Sequence, residues 1–127
     1  MLTIRTHYST IMIEIKQFSL DPTGSVKGHI FILNKSCFVW IGSGEVPPDF
    51  SNLVVAMPTK FDSLPLSTTL LSEGAGEDED YSSMLSQRIS KAFNIQCFVS
   101  CCASRQVQMS AHAVEKMIVQ EIRPHFT

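Results

Sequence analysis

Four short segments of this chain are apolar with almost no polar interruption: "HIFIL" (29–33), "CFVWI" (37–41), "LVVAM" (53–57) and "CFVSCC" (97–102). A strand in an antiparallel sheet with one wet face alternates apolar and polar residues, whereas a continuous apolar run belongs to a strand covered on both faces. Any sheet built from these segments therefore has two faces to bury. The rest of the chain holds two amphipathic helices of about four turns each, enough for one face and hardly for both. Either loops and the N-terminal segment shield the second face, or a partner protein covers it through a sheet-on-sheet contact about 10 Å thick. The second option favours an obligate dimer, hetero or homo.

Period-two alternation in "TIMIEIKQF" (10–18) predicts a further strand, with Ile11, Ile13 and Ile15 toward the core and Met12, Glu14 and Lys16 on the wetter side. "DPTGS" turns the chain, and "NKS" between the first two apolar runs reads as a hairpin in which Asn34 takes the turn conformation. "SGEVPPDFS" is a loop, because Pro47 and Pro48 cannot serve a central ladder. "LPLSTTLL" (64–71) is an irregular fifth strand, placed at an edge or with a bulge near its start by Pro65. Glu73–Asp80 reads as a flexible acidic loop ending at a helix start.

Tyr81, Met84, Leu85, Ile89, Ala92 and Phe93 mark a helix that ends near Asn94. "IQCFVSCCA" is the last strand. Val107, Ala111, Val114, Met117, Ile118 and Ile122 mark a second helix, stopped by Pro124. The expectation is an α+β fold over residues 1–127: one domain with about six antiparallel strands and two amphipathic helices packed on one face.

The chain is 127 residues long, 17% charged, with a net charge of -2. No basic excess points to a nucleic-acid backbone, and Arg5, Glu14 and Lys16 break the apolar N-terminus before it could span a membrane. Cys37, Cys97, Cys101 and Cys102 fall inside apolar runs and read as packed, reduced thiols of a cytosolic or nuclear protein. Their spacing is not that of a zinc knuckle, and His7, His29, His112 and His125 are scattered, so no metal or cofactor is expected. His112 reads as a surface residue. The terminal "HFT" reads as a frayed end.

"MPTKFDSLPLSTTLL" (57–71) gathers a lysine, an aspartate and several hydroxyls in an apolar setting, the ingredients of nucleophilic catalysis. Yet the stretch holds no histidine, and its threonines are internal. Asp62 and Ser63 suit a turn and Thr68 and Thr69 an extended segment. A small enzyme using a Ser, Thr, Lys or Cys nucleophile stays open beside a binding protein.

Five ordered blocks, "FVWIG", "NLVVAM", "FDSLPLSTTLL", "LSQRISKAFNIQCFVS" and "VEKMI", resemble the proteasome assembly chaperone 4 family from about Cys37 to Ile122. The resemblance implies a six-stranded antiparallel sheet with two helices and a non-enzymatic role. It implies a heterodimer with a chaperone 3-like subunit that helps order proteasome α subunits into the ring of the 20S core particle. It makes Phe61, Leu64, Leu66, Thr68 and Leu70 the candidate protein-binding residues, with no catalytic, cofactor or metal site. The acidic "GEDED" and the cysteine-rich last strand depart from the family. A dimeric scaffold outside the proteasome would share the fold and the pairing.

Overall fold

The computed structural model describes residues 12–19, 26–42, 50–72, 76–102, 107 and 111–126. Six strands, β1 (Met12–Ser19), β2 (Lys27–Leu33), β3 (Ser36–Gly42), β4 (Asn52–Met57), β5 (Leu66–Ser72) and β6 (Gln96–Cys101), join in one sheet. The helices are α1 (Glu77–Phe93) and α2 (Ala111–Phe126). Sheet order is β1-β2-β3-β6-β4-β5, so the last strand in sequence sits near the middle. The sheet departs from the expected all-antiparallel pattern there, because β3 and β6 run parallel. A parallel neighbour needs a crossover rather than a hairpin, and α1 supplies it between β5 and β6.

One face of the sheet meets both helices. Ile30 lies opposite Val39, Val39 opposite Val99 and Val99 opposite Val54, and all four are fully buried. Tyr81, Leu85 and Ile89 of α1 and Val114, Ile118 and Ile122 of α2 close the core over them. The helical stripe is broader than the apolar spacing predicts: Ser82, Ser86 and Ser90 are also buried, while Ala92 is exposed. Small side chains at every fourth position let α1 lie close to the sheet. Ser82 Oγ donates to Asn52 Oδ1 (2.7 Å), and Asn52 Nδ2 donates to the Cys101 carbonyl (2.8 Å), tying α1, β4 and β6 through one buried amide.

Several local expectations change. The alternation of β1 is present but its faces are reversed. Glu14 and Lys16 lie on the helix side, where Lys16 pairs with Glu14 (2.9 Å) and Glu121 (3.9 Å), and Phe18 is buried there. Ile15 is 49% exposed on the opposite face. Ile11 lies outside the described residues, as does the Ile13 side chain. β1 is an edge strand, so its helix-side carboxylate and amine reach water past the end of α2, which an interior strand would not permit.

In the β2–β3 turn the left-handed residue is Lys35 (φ 61°) and not Asn34. Helix α1 begins at Glu77, so Glu77–Asp80 form its first turn instead of a loop, where four carboxylates suit the positive helix end. Residues 73–75 lie outside the described residues. At the other end Asn94 caps α1 in the left-handed conformation (φ 56°), as its position predicts. Pro124 does not stop α2, which runs on to Phe126. At this position the proline removes only one late-turn bond, and Phe126 packs against Phe93 with ring centroids 6.4 Å apart. The C-terminus through Phe126 is thus anchored rather than frayed. Among the described residues no helix is long and apolar enough to cross a membrane.

Replacing Asn52 by alanine should take the acceptor from the Ser82 hydroxyl and the amide donor from the Cys101 carbonyl. A loss of about 2 to 3 kcal/mol in urea unfolding is expected, and an unchanged midpoint would show that the bridge contributes nothing.

Candidate partner-binding face

Because strand side chains alternate, burying Ile30, Val39, Val99 and Val54 turns their neighbours to the face that neither described helix covers, the helix-free face. There Ile15 lies opposite Phe31, Phe31 opposite Phe38, Phe38 opposite Phe98, and Phe98 opposite Val55, a row running from edge to near edge. Phe31 and Phe38 stack with centroids 5.4 Å apart, and Phe50 meets Phe38 edge-on at 6.3 Å. One register step away His29 and Trp40 lie 5.8 Å apart. Phe31, Phe38, Trp40 and Phe98 are all half-buried, and Phe50 is 46% exposed. The tryptophan ring lies over Gly42, where any Cβ would fall 2.2 Å from it, so the glycine makes room for the indole. Ser100, Trp40's neighbour on β6, is fully buried with its hydroxyl unpartnered.

The exposed apolar side chains continue through "MPTKFDSLPLSTTLL". Ser67 Oγ is 3.1 Å from Ser83 Oγ on α1, and Thr69 Oγ1 donates to Glu79 (3.1 Å), which fixes these two residues on the helix side. Leu66 and Thr68 must then point to the helix-free face, with Leu70 joining them at a bulge between Leu53 and Val54 of the facing strand. The irregularity of β5 thus lies near its end, not at its start, and β5 is an edge as Pro65 suggests. Phe61 is 92% exposed, and Leu64, Leu66, Thr68 and Leu70 are exposed as well. All five predicted residues are therefore at the surface. Leu66, Thr68 and Leu70 share one face of β5, while Phe61 and Leu64 sit on the preceding loop.

That loop is held differently from the expectation. The Asp62 amide donates to the Thr59 hydroxyl (3.2 Å), so a threonine behind the turn supplies the acceptor expected from Asp62 or Ser63. A shallow hollow of about 380 Å³ beside it is lined by Asp62, Ser63, Leu64, Pro65, Leu66, Ser67 and Gln87. The Gln87 side chain donates to the Pro65 carbonyl (3.0 Å) and closes its floor.

Sequence reasoning foresaw a second apolar face but did not assemble its aromatic row. The signal was available in "HIFIL" and "CFVWI", whose odd and even positions are both apolar, yet the parallel partner strand that brings Phe98 beside Phe38 is not readable locally.

Among the described residues no group of three or more His, Cys, Asp or Glu side chains could hold a metal. Cys37 and Cys97 face each other across β3 and β6 with sulfurs 3.5 Å apart, both free and fully buried. Burial, with the neighbouring thiol second, pushes Cys97 well above the ordinary thiol range and leaves it protonated. Cys101 is buried on the same face as Cys97, and Cys102 is half-buried.

A sheet backed by helices on one side and carrying a half-exposed aromatic row on the other defines a protein-interaction module, built to lay one face on another protein. Residues 25–102 match the family model described as proteasome assembly chaperone 4. Over 95 residues the chain is 37% identical to the human protein named proteasome assembly chaperone 4, covering 74% of this chain and 72% of that one. The mouse protein of the same name is 33% identical over the same shares. The chain belongs to the proteasome assembly chaperone 4 family. Its fold is also that of a solved chain from a novel chaperone complex for yeast 20S proteasome assembly. The TM-score is 0.68 and the identity 13%, over 89% of this chain and 98% of that one.

In the native protein an uncharged maleimide should label Cys102 first. Cys37, Cys97 and Cys101 should react only after denaturant is added, because thiolate formation and access are both suppressed in the core. Mass spectrometry of the labelled peptides reads this directly, and early labelling of Cys97 would contradict the packing.

Proposed function

We propose that this chain is a proteasome assembly chaperone that works by pairing through its helix-free face, not by catalysis. The observation that carries the reading is the row Ile15, Phe31, Phe38, Phe98 and Val55. Val55 at its end is buried, but Ile15 is exposed and Phe31, Phe38 and Phe98 are only half-buried, too apolar to stay solvated and too exposed to be a finished core. Its partner is a chaperone 3-like subunit with a matching sheet. When that subunit is absent, a second copy of this chain takes its place. The pair then engages proteasome α subunits as they enter the ring of the 20S core particle. Phe61, Leu64, Leu66, Thr68 and Leu70 extend this docking surface beyond the aromatic row. Four cysteines outside any disulfide suit a reducing compartment, the cytosol or the nucleus.

A nucleophilic role for the "KFDS" region has little support beside this. Ser67 is hydrogen-bonded to Ser83, and the hollow next to it, lined by Asp62 and Ser63, holds no histidine or lysine and leaves both of those residues exposed to water.

Pairing is tested by co-expression with a chaperone 3-like subunit, followed by sedimentation of the purified complex. Phe38→Asp should abolish the pair, since a carboxylate would face the partner's apolar surface without a counter-charge. Trp40→Ala should cost the isolated chain only about 1 to 2 kcal/mol, less than for a fully buried tryptophan. It should weaken pairing by more than about 2 kcal/mol, as truncating a central aromatic anchor does. Leu70→Asp chains that fold by circular dichroism should leave 20S precursors or poorly formed α rings on native gels of cell extract. A folded Phe38→Asp protein that pairs normally, or a null strain with unchanged core particles, would sink the proposal.

A further inference from the structure

The two edges of the sheet are treated differently. At β1 the edge carries Glu14 and Lys16, joined at 2.9 Å and reaching on to Glu121 of α2. Charges of this kind keep foreign strands from pairing with an open ladder. At β5 the strand reads Leu-Ser-Thr-Thr-Leu-Leu-Ser, with no charge and no proline, and nearly every residue of it is exposed. No described strand lies beyond it. The bulge at Leu70 leaves Leu66–Thr69 as a regular run, the part of the edge that another backbone could extend.

The surroundings specify what such a backbone would carry. On the helix-free side the run presents Leu66 and Thr68, beside the exposed Leu64 and Leu70. On the other side the Glu79 carboxylate accepts from both Thr69 (3.1 Å) and Ser72 (2.5 Å). It belongs to an acidic first turn of α1 that includes exposed Asp80. A strand added to this edge would send alternate side chains to these two sides. Apolar residues match the first and cationic residues the second.

We infer that the β5 edge receives an extended segment of a partner protein as an added strand, one whose residues alternate between apolar and lysine or arginine. The inference rests on the reading of this region as partner-facing, but it concerns backbone pairing at the edge and not packing on the aromatic row. The two are separable by experiment.

Fluorescence anisotropy with labelled seven-residue peptides tests it. A Val/Lys alternating peptide should bind, and a Val/Glu peptide should bind at least about tenfold more weakly. N-methylating one set of alternate residues in the Val/Lys peptide should abolish binding, while methylating the other set should leave it, because only one set of amides faces the edge. Glu79→Lys should reverse the charge preference, with Asp80→Lys serving if the first variant does not fold. The Phe38→Asp chain, defective in pairing, should bind the Val/Lys peptide as the parent does. No binding of that peptide, equal binding of the two charge types, or indifference to both methylation patterns would overturn the added strand. Those results would leave pairing through the aromatic row untouched.

Discussion

Burying Ile30, Val39, Val99 and Val54 beneath two helices commits the whole architecture, because a strand cannot hide one residue without turning the next to the other side. The core row and the aromatic row cross β2, β3, β6 and β4 on opposite faces, and the aromatic row continues onto β1 at Ile15. Four fully buried branched side chains in register fix the pairing of β2, β3, β6 and β4. A slip of one residue would exchange the two faces and put Phe31, Phe38 and Phe98 against helices shaped for valine and isoleucine. The docking surface therefore needs no rigidity of its own. It inherits its geometry from the core beneath it.

The helix layer is arranged to the same end. Serines at 82, 86 and 90 bring α1 close to β4 and β6, and the Asn52 amide locks that approach with bonds to Ser82 and Cys101. Both described helices pack on one face and neither covers the other. The result is a packed core on one side of the sheet and a half-exposed apolar surface on the other. The half-buried state of Trp40 and Phe38 is the intermediate condition this requires: ordered by their neighbours, yet still offering surface.

The edge strands show how charge placement separates permitted from forbidden contacts. Glu14 and Lys16 close one end of the ladder, and their pairing lowers the carboxylate and raises the amine from their ordinary values. The hydrogen bond between them is the leading cause in both cases. At the other end uncharged β5 meets the Glu79 carboxylate of α1 through Thr69 and Ser72, set to the side of the strand and not in its path. The described sheet is thus charged at one edge and uncharged at the other.

Much of this was written into local sequence. The four apolar runs announced strands with two faces to bury, Tyr81, Leu85 and Ile89 announced α1, and Asn94 marked its end, because periodicity and capping act within a few residues. Phe61, Leu64, Leu66, Thr68 and Leu70 are picked out by the family resemblance of their stretch and not by periodicity, and all five lie at the surface. Tertiary structure decided what depends on distant neighbours. The insertion of β6 between β3 and β4 made one pairing parallel and brought Phe98 to Phe38. The lysine and glutamate of β1 faced the helices instead of Ile15, since an edge strand leaves its charged groups a path to water. Pro124 stands in the last turn of its helix, where it removes one late-turn hydrogen bond while Phe126 beyond it packs on Phe93. Periodicity reports that a residue alternates with its neighbours, but which side becomes the inside is set by whatever packs against the strand.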